Sequence, residues 1–168
     1  MAYKDPENTL VLETTKGNVV IELLPDLAPS HVARIKELAR EGAYDNVVFH
    51  RVIDGFMAQT GDVHYGKTDS ADFDAASAGM GGSAKPDLKA EFSNASHIRG
   101  TASMARSQNP NSANSQFFIC FEDVPWLNRQ YTVWGQVVEG MDNVDKLERG
   151  EPVKNPDKII RACIAADS

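Results

Sequence analysis

Apolar residues gather in short clusters along most of this chain and fall at helical spacing in only two places. Thr9 to Thr14 and Val19 to Leu23 are rich in β-branched and aliphatic residues, and Lys16-Gly17-Asn18 between them has turn chemistry, which predicts a β-hairpin. Pro29 then opens a helix whose apolar stripe is Val32, Ile35, Leu38 and Ala39, with Gly42 as its stop. A second helix is expected from Met141 to Arg149. Met141, Val144 and Leu147 form its buried face, Asp142 lies near its start, and Gly150 follows its end. Val47 to Ile53, Phe56 to Thr60, Thr101 to Met104, Gln116 to Phe121, Tyr131 to Val138 and Lys158 to Ala165 read as further strands. Six such strands and a hairpin make eight, and eight short strands with two helices point to a barrel or a sandwich.

The stretch from Asp62 to Gly100 breaks this rhythm. Gly, Ala, Ser and Asp dominate it, and a loop of that length is functional or mobile more often than idle. Its acidic residues Asp69, Asp72 and Asp74 lack the spacing of a calcium loop and read as solvated charge.

With 168 residues the chain is expected to form a single domain, residues 1–168, able to bury a core without disulfides or a structural metal. A formal net charge of −7 argues against nucleic acid as the main partner, because phosphate binding needs a cationic face. Cys120 and Cys163 are far apart, each in an apolar strand-like run, and are expected to be buried, reduced thiols. The run from Met1 to Pro6 has no apolar signal-peptide core and no stretch reaches membrane-spanning length, so a cytoplasmic protein without membrane contact is expected. In that setting the sequon Asn94-Ala95-Ser96 is accidental.

Candidate chemistry concentrates in two segments. Strand alternation from Ser115 to Cys120 puts Gln116, Phe118 and Cys120 on one face and Phe117 and Ile119 on the other. If one face is core, the other carries an amide beside an aromatic ring. Met57 and Gln59 repeat the pairing of an apolar group with an amide. Together the strands suggest a groove for an extended peptide, although either alone reads as well as an amphipathic barrel strand. The four histidines show no metal-ligand spacing, no G-x-S-x-G elbow is present, and Gly79-Met80-Gly81-Gly82 lacks the Lys-Ser/Thr of a phosphate loop. His50 should point away from its neighbour Arg51 and act as a hydrogen-bonded structural histidine.

FHRVIDGFMAQTGD (Phe49 to Asp62), SMARSQNPNSANSQFFIC (Ser103 to Cys120) and VPWLNRQYTVWGQVVEGMDNVDKL (Val124 to Leu147) resemble three signature stretches of the cyclophilins. With the TTKGNVVIELLPDLAP hairpin the resemblance covers nearly the whole chain. It implies a closed eight-stranded antiparallel β-barrel capped by two α-helices, and peptidyl-prolyl isomerase activity on proline-containing peptides and folding proteins. It places the catalytic arginine at Arg51 and the proline pocket at Phe56, Met57, Phe118 and Leu127. Gln59 and Gln116 match the hydrogen-bonding amides, Ala105 and Arg106 the residues whose backbone binds the substrate chain, and Gly79 a glycine at the groove edge. Trp126 matches a tryptophan associated with cyclosporin, so cyclosporin binding is expected as well. Tyr131 stands where many members have histidine, and Arg106 where many have asparagine. The loops from Ser103 to Ser115 and from Val63 to Ser77 are longer than in many members.

Rotation about an X-Pro bond faces a barrier of about 18–20 kcal/mol, so spontaneous exchange takes roughly tens to hundreds of seconds. Acceleration to milliseconds requires about 10⁵-fold, or roughly 7 kcal/mol. No bond is made or broken, so no nucleophile, metal or cofactor is required, only tighter binding of the twisted amide than of either planar isomer. A guanidinium beside the twisted amide can donate to the proline nitrogen or the adjacent carbonyl at any physiological pH. A monomeric general isomerase is the expectation. A proline-peptide binding module with incidental catalysis and a specialised part of a larger assembly are the alternatives.

Overall fold

In the computed structural model, residues 4–167 are described; Met1, Ala2 and Tyr3 of the amino-terminal run lie outside them. The chain order is β1 (Thr9–Thr14), β2 (Gly17–Leu23), α1 (Pro29–Arg40), β3 (Val47–Val48), β4 (Arg51–Ile53), β5 (Met57–Thr60), β6 (Thr101–Met104), β7 (Phe117–Cys120), β8 (Val133–Glu139), α2 (Met141–Val144) and β9 (Lys158–Ile164). The strands form one antiparallel sheet in the order β3-β9-β1-β2-β8-β6-β7-β5-β4.

The fold is mainly β, as expected, but the closed eight-stranded barrel is corrected to a curled nine-stranded sheet with an open ladder. The expected strand Val47 to Ile53 divides at Phe49-His50 into β3 and β4, which occupy the two ends of the sheet order. The segment after α2 fills the gap between them. Phe49 N–H donates to the Asp157 carbonyl and Val153 N–H to the His50 carbonyl, while Val52 and Gly150 exchange both backbone bonds. The sheet therefore returns on itself through a single run of chain and a covering segment.

The hairpin forms where its turn residues predicted, with Gly17 at a φ of 122° that favours glycine. Leu10 and Leu12 of β1 and Ile21 of β2 are fully buried. Helix α1 lays Val32, Ile35, Leu38 and Ala39 on the interior as its stripe requires. Ala28 at its N-cap has no side-chain acceptor, and the Glu91 carboxylate supplies one from a distant loop, accepting from the N–H groups of Ser30 and His31. Helix α2 is shorter than the expected Met141 to Arg149. Asp157 accepts the N–H of Glu148, and the Arg149 guanidinium donates to the carbonyls of Asp145 and Leu147, so the chain turns out of the helix early. Val144 and Leu147 remain buried nonetheless.

Phe117 organises the interior. Its ring meets Tyr44 edge-on at 5.5 Å and Trp134 edge-on at 5.2 Å, favoured arrangements for aromatic quadrupoles. Ala58, Phe117 and Ile119 belong to this core, whereas Met57, Phe118, Cys120 and Val124 form a second apolar cluster on the other side of the sheet. β5 and β7 are thus packed on both faces. Cys120 is a buried free thiol with its pKa pushed by burial up to about 12; Cys163 is free but half-buried, which corrects the expectation of two buried thiols.

Candidate active site

Strand register brings the site together. Arg51 lies opposite Gln59, Gln59 opposite Phe118, and Phe118 opposite Ser103, so one row crosses β4, β5, β7 and β6. Alternation then turns Met57 and Gln59 of β5, with Phe118 of β7, to the same outer face. A recess of about 140 Å³ opens there, lined by Arg51, Phe56, Met57, Gln59, Ala105, Arg106, Phe118, Leu127 and Tyr131. That is well below the roughly 300–1,000 Å³ of a drug-sized pocket, and suits one side chain. Met57 and Phe118 form its floor. Tyr131 stands edge-on to Phe118 at 5.6 Å, and Leu127 comes from a 3-10 turn over Pro125–Leu127.

A second recess of about 350 Å³ adjoins it, sharing Gln59, Ala105 and Arg106 and adding Gly79, Met80, Gly81, Asn114 and Gln116. Trp126 lines neither cavity. It is 65% exposed, with its ring 6.1 Å from that of Phe56 on the outer rim. The twelve residues singled out in the sequence therefore divide into nine around the first recess, Gly79 and Gln116 in the second, and Trp126 beside them.

Arg51 is gripped by two edges. Its Nε donates to Glu151 Oε2 at 2.6 Å and its Nη1 to Gln59 Oε1 at 3.3 Å; Nη2 has no protein partner among the described residues. The Glu151 contact lies at the mouth of the recess, with Arg51 41% and Glu151 58% exposed. It occupies one donor and leaves the guanidinium lining the cup.

From Gln59 a chain of amides runs inward. Gln59 Nε2 donates to Gln116 Oε1 at 3.0 Å, and Gln116 Nε2 donates to the carbonyls of Gly79 and Gly81 at 2.9 and 2.8 Å. Because Gln59 must accept from Arg51, each amide in the series has one consistent orientation. The chain ends on Asp62, a fully buried carboxylate that accepts the N–H groups of His64, Tyr65, Gly79 and Gly81. Four donors compensate the burial of its charge and tie the long loop to the end of β5. Gly79 has a φ of 105°, and a Cβ there would come within 3.0 Å of the His50 ring, so glycine is required twice over.

His50 is buried and turned away from the recess, as its neighbour's direction predicted. Its Nδ1 has no hydrogen-bond partner, which corrects the expectation of a hydrogen-bonded histidine: the ring is held by packing against Gly79, and burial pushes its pKa down to about 4. His97 places Nε2 2.9 Å from Ser103 Oγ and Nδ1 3.1 Å from Asn128 Oδ1. The order imitates a hydrolytic triad, but Ser103 is fully buried and no substrate carbonyl can reach it. The acidic loop residues pair locally, Asp69 with Lys67 and Asn46, Asp72 with His64.

Glu151 and Asp62 were not anticipated as parts of this site. Glu151 lies a hundred residues from Arg51, in a segment with no strand or helix pattern. Asp62 carries a signal only in hindsight, as the acid that opens the glycine-rich loop.

Comparison with known proteins identifies the family. Residues 9–164 match the family described as cyclophilin type peptidyl-prolyl cis-trans isomerase/CLD. A probable peptidyl-prolyl cis-trans isomerase of Brucella suis biovar 1 (strain 1330) is 64% identical over 169 residues, covering 98% of this chain and 86% of the relative. Peptidyl-prolyl cis-trans isomerase B of Escherichia coli (strain K12) is 38% identical over 148 residues, 83% of each chain. Among solved structures, the cyclophilin AquaCyp293 from Hirschia baltica superposes with a TM-score of 0.84 at 31% identity, over 98% of this chain and 76% of that one. A Cryptosporidium parvum cyclophilin type peptidyl-prolyl cis-trans isomerase, crystallised in the presence of the dipeptide Ala-Pro, gives 0.79 at 25% identity over 93% and 98%. A barrel-like sheet carrying an apolar cup with an arginine at its lip, and this agreement along nearly the full length, place the chain among the cyclophilin-type peptidyl-prolyl cis-trans isomerases.

Proposed function

We propose that this protein accelerates X-Pro rotation by seating the proline ring in the recess of Phe56, Met57, Phe118, Leu127 and Tyr131 while Arg51 stabilises the twisted amide. The observation that carries this reading is the guanidinium held at the lip of an apolar cup with Nη2 unpartnered. Twisting removes amide resonance and leaves a lone pair on nitrogen, and a donor fixed beforehand stabilises that state without reorganising. The ring stays anchored while the preceding carbonyl swings. Gln59 holds the guanidinium at its second edge, Gln116 links it to the loop, and Ala105, Arg106 and Gly79 border the path of the peptide. The Ala-Pro dipeptide used with the Cryptosporidium parvum relative is the smallest unit of such a substrate. Proline-containing segments of folding proteins are the natural class of client.

The deciding measurement is cis/trans exchange of an X-Pro peptide by magnetisation transfer. Arg51→Ala is expected to lose most of the rate while still binding the peptide; equal rates would remove Arg51 from the mechanism. Cyclosporin is a further ligand, with the exposed Trp126 indole as a donor beside Phe56. Isomerisation that persists unchanged at saturating drug would refute that assignment. We place the protein in the cytoplasm as a monomer. The free thiols Cys120 and Cys163 favour a reducing compartment, and among the described residues no helix is long and apolar enough to cross a membrane.

A further inference from the structure

The charged side chains that line the two recesses are cationic, although the chain as a whole is acidic. The chain carries a formal charge of −7, yet among the described residues no carboxylate lines either cavity, and the charged lining residues are Arg51 and Arg106. The two arginines differ in how their charge is met. Arg51 is paired with Glu151 at 2.6 Å. Arg106 spends its donors on neutral acceptors: Nε and Nη2 on the Gln130 carbonyl at 3.1 and 2.5 Å, Nη1 on the carbonyls of Ser107 and Gln108 at 2.9 and 3.3 Å. Its Cζ also stands 4.5 Å over the Tyr131 ring.

These contacts fix the guanidinium without neutralising it. Backbone carbonyls and an aromatic face satisfy hydrogen bonds and orient the group, but they carry no net charge. By contrast Arg34, Arg40, Arg99, Arg149 and Arg161 each lie within 4 Å of a carboxylate; Arg129, which donates to Asn94 Oδ1, shares the unpaired state among the described residues but lines neither recess. Arg106 therefore presents an uncompensated cation on the wall shared by both cavities.

Resting on the isomerase reading above, we propose that Arg106 is a specificity-determining residue that favours clients carrying a carboxylate side chain, Asp or Glu, close to the proline. A peptide whose proline occupies the smaller recess runs its neighbouring residues past the shared wall and over the larger one. A carboxylate there meets a held positive charge, and a lysine meets repulsion. The side chains that line the larger recess (Gln59, Asn114, Gln116 and serines) can hydrate or bond a carboxylate without opposing it. The effect is electrostatic and sits in a half-open groove, so its size is modest and salt-sensitive.

The test uses peptides with Glu, Gln or Lys at each position flanking proline on either side, assayed by kcat/KM with wild type, Arg106→Gln and Arg106→Lys. In wild type, Glu is expected to exceed Gln by roughly two- to threefold at one or more positions, with Lys below Gln by a similar factor. Arg106→Lys should keep the order and Arg106→Gln should flatten it. Each ratio is taken within one protein, so a general loss of activity or stability cancels. Should Arg106→Gln fail to fold, wild type at rising ionic strength gives the same answer, because the Glu-to-Lys ratio must shrink. Equal kcat/KM for the three peptides in wild type, or an order that survives Arg106→Gln or high salt, would overturn the proposal while leaving isomerisation intact. Absence of isomerisation of any peptide would refute the parent reading instead.

Discussion

Arg51 and Glu151 meet at 2.6 Å through the guanidinium Nε, and Gln59 takes the same group by Nη1 at 3.3 Å. Two partners on different edges fix the plane of a rigid fork, leaving Nη2 without a partner among the described residues. An exposed ion pair contributes little to stability, about 0–1 kcal/mol, so its value here lies in orientation. Glu151→Ala is expected to lower kcat by about two- to fivefold with KM nearly unchanged, since orientation matters most in the twisted state. The double variant with Arg51→Ala should be no slower than Arg51→Ala alone. A rise in kcat for Glu151→Ala would mean that the carboxylate withholds charge instead of aiming it.

Phe117 and Phe118 are neighbours with separate tasks. Phe117 fills the interior against Tyr44 and Trp134, while Phe118 floors the recess with Met57. Phe117→Ala should cost about 3–5 kcal/mol of folding free energy, read by denaturant titration, because a large cavity is left in a packed core. Phe118→Ala should be less destabilising, yet its kcat/KM should fall at least about tenfold at temperatures where the variant is fully folded. Similar stability losses with retained activity in both would contradict the two-faced strand.

Asp62 ties the long loop to the sheet through four backbone donors. Asp62→Ala leaves those N–H groups without an acceptor, and a loss of about 2–4 kcal/mol is expected. Amide exchange should quicken first at Gly79 and Gly81, whose carbonyls hold Gln116. Unchanged exchange at those two amides would show that the loop is held by other means.

His50 predicts an acid-side loss of stability. Burial lowers its folded pKa to about 4, against about 6.5 for an exposed imidazole, so the unfolded chain binds the extra proton first. Its contribution is complete above pH about 6.5 and fades as pH falls toward 4, a span of about 3 kcal/mol. Stability measured between pH 7 and 4 should fall with a shallower slope in His50→Gln than in wild type, whatever the absolute stability of the variant. Identical slopes would assign the acid response to other groups.

The hairpin, α1 and the alternation of β5 and β7 were legible because each is a local pattern: turn residues, a helical stripe, a period of two. That alternation also separated Phe118 and Gln116 from Phe117 and Ile119. The break at Phe49-His50 was not legible, because those apolar residues suit a strand and only the distant carbonyl of Asp157 and the N–H of Val153 divert their backbone. The early end of α2 has the same origin, a carboxylate nine residues downstream. Within the site, alternation suggested a groove, and the cup and its arginine could be assigned only through the resemblance to the cyclophilin signature stretches. Glu151 and Asp62 could not, since their roles depend on which loops the sheet brings near Arg51 and Gln116.

The sheet behind the cup has no idle surface: one side of β5 and β7 supports the interior and the other floors the recess. In the proposed mechanism, turnover is consequently bound to residues whose replacement also perturbs the framework, and this part of the molecule has little latitude to vary. Leu127, Tyr131 and Arg106 lie outside every strand, on segments free of ladder constraints. Change on those connecting segments can therefore reshape the rim of the recess without disturbing the core side of the strands.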